Sequence, residues 1–146
     1  MIDADLFDED RWTWIKKPVT VDIGNTVTTI GTGTFEQCHS LVSVIMPITL
    51  TGIGINAFNG CIGLENVTIP NNVSVLEECA FDTCRSLTSI TIPNSVSVIG
   101  INAFNSCSGL ESVVIGNGVE RIGDHAFRYC DNLTSVTFLG KTLEQV

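Results

Sequence analysis

The amino-acid sequence predicts an α/β, strand-rich solenoid with short helical turns, built from five coils of 23 residues behind one degenerate N-terminal copy. Three observations predict it. The chain repeats itself at a fixed period: Phe35, Phe58, Phe81, Phe104 and Phe127 lie 23 residues apart, as do Cys38, Cys61, Cys84, Cys107 and Cys130, and Leu41, Leu64, Leu87, Leu110 and Leu133. Within each unit the apolar spacing switches from three or four residues to two, from a helical turn to a strand. A single unit encloses nothing, so its apolar layer is covered only when units stack.

The unit spanning residues 53–75 shows the elements in order. Ala57, Phe58, Cys61 and Leu64 recur at the spacing of one face of a short helical turn. Leu64, Val67 and Ile69 then alternate as a strand does. Pro70 and Asn71 mark a turn, because proline fixes its φ and lacks a donor while asparagine tolerates bent backbone. Val73, Val75 and Leu76 form a second short extended piece. Further columns hold the same step: Val44, Val67, Ile90, Val113, Val136; Met46, Ile69, Ile92, Ile115, Phe138; Ile30, Ile53, Leu76, Ile99, Ile122. Parallel strands about 4.8 Å apart would merge these columns into one core.

The same register divides the chain. Residues 1–29 are an acidic N-terminal segment and degenerate capping repeat, with Phe7, Trp12 and Ile15 in core slots, Val21 and Ile23 in strand slots, and Pro18 in place of leucine. Residues 30–146 are the solenoid, with units 30–52, 53–75, 76–98, 99–121 and 122–144. The acids Asp3, Asp5, Asp8, Glu9 and Asp10 would discourage stacking at the first end. After Phe138 the sequence reads as half a coil, which implies end-on self-association, a covering partner, or continuation as a longer chain.

Composition narrows the function. The chain is 44% hydrophobic and 16% charged with a net charge of −9, as expected of a folded domain. Only seven Lys and Arg are present and none forms a stripe, which argues against nucleic acid, since that affinity comes largely from neutralising phosphates. No run approaches the ~20 apolar residues of a membrane helix, so membrane insertion is not expected. Met1 to Asp10 does not read as a signal peptide.

The unit Ile-Gly-x-x-Ala-Phe-x-x-Cys-x-x-Leu-x-x-Val-x-Ile-Pro-x-x-Val-x-x, nearly complete in 53–75 and 99–121, resembles the BspA-like leucine-rich repeat. The resemblance covers residues 30–144. It implies a right-handed leucine-rich-repeat solenoid and a surface or secreted protein that adheres to host proteins or other cells. Thr34, Met46, Glu77 and Gly116 depart from the pattern at the Ala, Ile, Gly and Pro positions. The family supplies no catalytic residues.

The expected binding surface is the strand face, the surface leucine-rich repeats commonly use. Its outward rows are Ser43, Asn66, Ser89, Ser112, Ser135 and Ile45, Thr68, Thr91, Val114, Thr137, of which the Ser, Asn and Thr members are the candidate contacts. The rows are small and hydroxylated, without the Trp, Tyr and Arg anchors of most hot spots, which suits repeated weak contacts with a protein or cell-surface ligand. A second candidate is the end and edge of the last unit, with Arg128, Tyr129 and Phe138. No catalytic residue, cofactor site or metal site is expected. His39 and His125 lie in different slots of distant units, and the five column cysteines point the same way instead of converging as zinc ligands do. Cys79 stands outside the column and is the thiol expected to react. Three Asn-x-Ser/Thr triplets begin at Asn66, Asn72 and Asn132, matters of chance in so polar a sequence.

Overall fold

The computed structural model describes residues 17–140. Each coil contributes two short strands, and like strands of successive coils pair in parallel. The strands are β1 (Val19–Asp22), β2 (Thr29–Ile30), β3 (Leu41–Ile45), β4 (Gly52–Ile53), β5 (Asn66–Val67), β6 (Val75–Leu76), β7 (Ser89–Ile92), β8 (Val98–Ile99), β9 (Ser112–Ile115), β10 (Arg121–Ile122) and β11 (Ser135–Phe138). One five-stranded sheet runs β2-β4-β6-β8-β10 without interruption. The opposite strand face is two three-stranded sheets, β1-β3-β5 and β7-β9-β11.

The register is the sequence period. Val44 lies beside Val67, Ile90 beside Val113 and Val113 beside Val136, each a step of one repeat. Val21 pairs with Val44, which places residues 19–22 as the strand of the degenerate first copy. Phe7, Trp12 and Ile15 lie outside the described residues.

Stacking closes the core. The rings of Phe35, Phe58, Phe81, Phe104 and Phe127 form a ladder with centroids 5.1, 5.1, 5.3 and 5.4 Å apart and planes within 10° of parallel. Beside it each column thiol after Cys38 donates to the carbonyl of the preceding coil's phenylalanine: Cys61 to Phe35 at 3.0 Å, Cys84 to Phe58 at 3.3 Å, Cys107 to Phe81 at 3.1 Å and Cys130 to Phe104 at 3.2 Å. The cysteines are small apolar fillers that also satisfy a buried acceptor.

The expected helical turns are instead runs of tight turns, and no helix occurs among the described residues. The reason lies in where alternate amides go. Ala57, Asn59 and Cys61 donate back three residues, to Gly54, Asn56 and Phe58. Between them Asn56, Phe58 and Gly60 donate to the next coil, to Glu78, Ala80 and Asp82. Two positions per coil turn left-handed to allow this: Gly33, Asn56, Cys79, Asn102 and His125 at φ of 54 to 63°, then Gln37, Gly60, Thr83, Ser106 and Tyr129 at 57 to 73°. Glycine and asparagine adopt that region cheaply, whereas β-branched Thr83 does so under strain.

One outer column alternates acid and amide along the turns: Glu36, Asn59, Asp82, Asn105, then Arg128. Asn59 Nδ2 donates to Glu36 at 3.3 Å and Asn105 Nδ2 to Asp82 at 3.1 Å.

The glycine column is needed where coils nearly touch. A Cβ on Gly54 or Gly100 would lie 2.9 or 2.6 Å from backbone of the coil before. Glu77 occupies the same slot, and its amide reaches Ile53 O at 3.3 Å, against 2.9 Å for Gly54 to Ile30 and 2.8 Å for Gly100 to Leu76.

Candidate functional site: the strand face

The strand positions are set by alternation: Val44, Ile90 and Val113 face the core, and the residues between them face out. The outward rows are aligned as the period requires. Ser43 sits beside Asn66, and Ser89, Ser112 and Ser135 stand in one file. Thr91, Val114 and Thr137 form the parallel file. Asn66, Thr68, Ser89, Thr91, Ser135 and Thr137 are exposed, and Ser43 and Ser112 half-buried.

The rows are not continuous, a feature that the uniform period concealed. Ser89 does not pair with Asn66, because no ladder joins β5 to β7. Two shallow depressions lie on this face. One of about 440 Å³ is lined by Ile45, Ile48, Met46, Thr68 and Pro70 among others, and one of about 500 Å³ lies over the missing ladder between Asn66 and Asn94. Ile48 was not among the candidates, although the signal was present: it replaces the asparagine of Asn25, Asn71, Asn94 and Asn117 in its column.

Arg128 and Tyr129 lie on the turn edge, both exposed and engaged with each other. The guanidinium donates to the tyrosine hydroxyl at 2.6 Å and its carbon lies 4.4 Å from the ring centroid. Phe138 is elsewhere, half-buried on β11 at a small hollow of about 160 Å³ with Ile115, Val119, Ile122 and Leu139, which neither Arg128 nor Tyr129 lines. The structure therefore separates the second candidate group into two places.

The six cysteines are free. Burial pushes the Cys84 and Cys107 thiols up, and Cys130 more mildly. Cys79 is half-buried, nearer solvent than most of the column as its slot implies. Its thiol is nevertheless raised, first by burial and then by Asp82 and Glu78, so it holds less thiolate than an ordinary cysteine and the expected reactivity is disfavoured. His39 and His125 are both exposed. The triplet side chains of Asn72 and Asn132 donate to Ile48 O at 2.7 Å and Ser108 O at 2.8 Å of neighbouring coils.

Residues 14–145 match the family model of the BspA type leucine rich repeat region, in six copies. The chain belongs to this BspA type leucine rich repeat family. The sixth copy in that count agrees with the degenerate first coil. Among solved structures it is similar to a leucine rich cell surface protein from Faecalibacterium prausnitzii, at 32% identity and a TM-score of 0.84 over 88% of this chain and 34% of that one. It is also similar to the leucine rich repeat protein of T. pallidum, at 36% identity and a TM-score of 0.79 over 84% of this chain and 59% of that one. The pneumococcal vaccine antigen PcpA, 23% identical with a TM-score of 0.76 over 89% of this chain and 32% of that one, shares the fold. The BspA type repeats here thus span about a third to three-fifths of the length of the first two relatives. Among curated proteins none matches the sequence.

Proposed function

We propose that this BspA type solenoid is a non-enzymatic adhesion module of a cell-surface or secreted protein, which holds a protein or cell-surface ligand on its strand face. The observation that carries the reading is the alignment of exposed Ser, Asn and Thr files at one-strand steps beside two depressions on that same face. Such files present the same weak contact repeatedly, so binding energy accumulates along a row. The likeness to a protein described as a leucine rich cell surface protein supports the location.

The test is retention of the fluorescently labelled chain on cultured epithelial cells. Ser89→Glu, Ser112→Glu and Ser135→Glu together should reduce cell-bound signal at least tenfold. Three glutamates on the turn edge, at exposed Ile55, Ile62 and Ile101, should leave it within twofold. Equal loss from both sets would remove the strand face from the reading.

A second reading, docking through the last coil, is favoured by one observation. Val136 is 47% exposed where its column mates Val113 and Ile90 are 1% and 3%. Light scattering should then show a dimer or larger species that Val136→Lys returns to monomer; a wild-type monomer at every concentration would end this reading.

A further inference from the structure

The strand face is interrupted once, and the interruption is local. Across the junction of units 53–75 and 76–98 the Phe58 and Phe81 rings remain 5.1 Å apart and β6 pairs with both β4 and β8, yet β5 and β7 share no ladder. Strand edges that face one another without a ladder keep main-chain donors and acceptors available, and open edges of this kind recruit an added extended segment. The shallow depression of about 500 Å³ at this junction includes Asn66, Thr68, Ser89, Thr91 and Asn94.

A second, independent observation lies one coil away. Ile45 and Ile48 are 54% and 73% exposed; Ile45 shares its column with Asp22, Thr68, Thr91, Val114 and Thr137, and Ile48 breaks a column of asparagines. Scattered exposed apolar residues need no explanation, but these two line one hollow with Met46, Ile69 and Pro70. The two depressions share Asn66, Thr68, Ile69 and Asn71, so they form one trough across the units 30–52, 53–75 and 76–98, with Leu139 of the last unit also in its lining. Charge adds a third constraint. Exposed Asp22 pairs in register with Ile45, and exposed Glu65 adjoins Asn66 with Arg85 beside it.

We infer that the trough binds an extended peptide with an aliphatic side chain and a basic flank. Its main chain bonds the open edges of β5 and β7, its aliphatic side chain enters the hollow of Ile45, Ile48 and Pro70, and its basic residues meet Asp22 and Glu65. Main-chain bonds give such a complex its affinity and the hollow its selectivity. The inference deepens the strand-face reading and rests on it.

The probe is the synthetic peptide amide Lys-Thr-Val-Thr-Ile-Thr-Lys, titrated into the full 146-residue chain and followed by anisotropy of a label on the peptide. A companion peptide carries N-methyl groups on alternate amides, which removes donors and keeps the side chains. The parent should bind at least about tenfold more tightly than the companion, since a net hydrogen bond contributes about 1 kcal/mol and two or more are lost. Ile48→Asn, which restores the column residue at an exposed site, should weaken the parent about fivefold, and hydrogen exchange at the Ser89 and Thr91 amides should slow in the complex. Equal affinity of the two peptides, wild-type affinity of Ile48→Asn, or no binding of the parent would overturn the inference. If the parent does not bind while the serine-row glutamates still release the chain from cells, the trough fails and the strand-face reading stands. If those glutamates also change nothing, both fail.

Discussion

The two sheets that flank the core are made by the same repeat, yet only one is continuous. The β2-β4-β6-β8-β10 sheet has two-residue strands and no break, whereas the strand face has strands of four or five residues apart from the two-residue β5, and stops between β5 and β7. Continuity therefore does not follow from strand length. The continuous sheet is followed at once by the glycine column, where backbone approaches backbone and donates across every coil from Gly54 to Gly123. At the start of the strand-face turn Pro47, Pro70 and Pro93 have no amide to donate, so this side carries fewer bonds between coils. One side of the solenoid is a seam of backbone; the other is a display surface that tolerates a gap.

Phe81→Ala would break the comparison altogether, because both sheets rest on the phenylalanine ladder. The cavity should cost about 3–5 kcal/mol in chemical denaturation, with exchange protection falling on both sides. A loss below about 1 kcal/mol would mean the ladder is not core. Gly100→Ala should injure only the continuous side: its Cβ would meet Glu77 backbone at 2.6 Å, and overpacking of this kind costs about 1–3 kcal/mol. Exchange should then quicken around β8 and β10 while Ser112 and Val113 remain slow.

Alkali should weaken the shared core. Cys84 and Cys107 are held protonated in the fold by burial, so below the ordinary thiol pKa near 8.5 neither state is penalised. Above it the unfolded chain releases protons that the folded chain keeps, and stability falls by about 1.4 kcal/mol per pH unit for each such thiol. The denaturation midpoint should drop between pH 8.5 and 10, less steeply in Cys84→Ala; a flat profile would mean the thiols ionise in place. The smallest effect is expected on the interrupted face. Ile48→Asn, at a site 73% exposed, should change stability by less than about 0.5 kcal/mol, even while it weakens the peptide.

Much of this was legible because a repeat states each contact several times. Phe, Cys, Leu and Val columns at one period gave the stack, its register and the outward Ser and Thr files before any coordinates. What the period could not give was departure from itself. Translational symmetry predicts a ladder between β5 and β7 as firmly as between β7 and β9, and only the former is missing. The departures had faint signals: Glu77 in a glycine column and Ile48 in an asparagine one. Ala57, Phe58 and Cys61 have helical spacing, but spacing does not show that every second amide is taken by the next coil. The spacing also did not show that burial, then Asp82 and Glu78, would raise the Cys79 thiol and work against the reactivity its slot suggests.

The alternating column of Glu36, Asn59, Asp82 and Asn105 gives the molecule a parity. Excising one unit, 53–75, would set Glu36 beside Asp82, two carboxylates about 5 Å apart along the stack. Excising two, 53–98, would set Glu36 beside Asn105 and restore an acid–amide bond. Units 53–75 and 99–121 are alike in the same sense, sharing isoleucine at 55 and 101, asparagine at 56 and 102 and at 59 and 105, glycine at 63 and 109, and glutamate at 65 and 111. Removing coils in pairs therefore preserves this acid–amide pairing, and removing one does not.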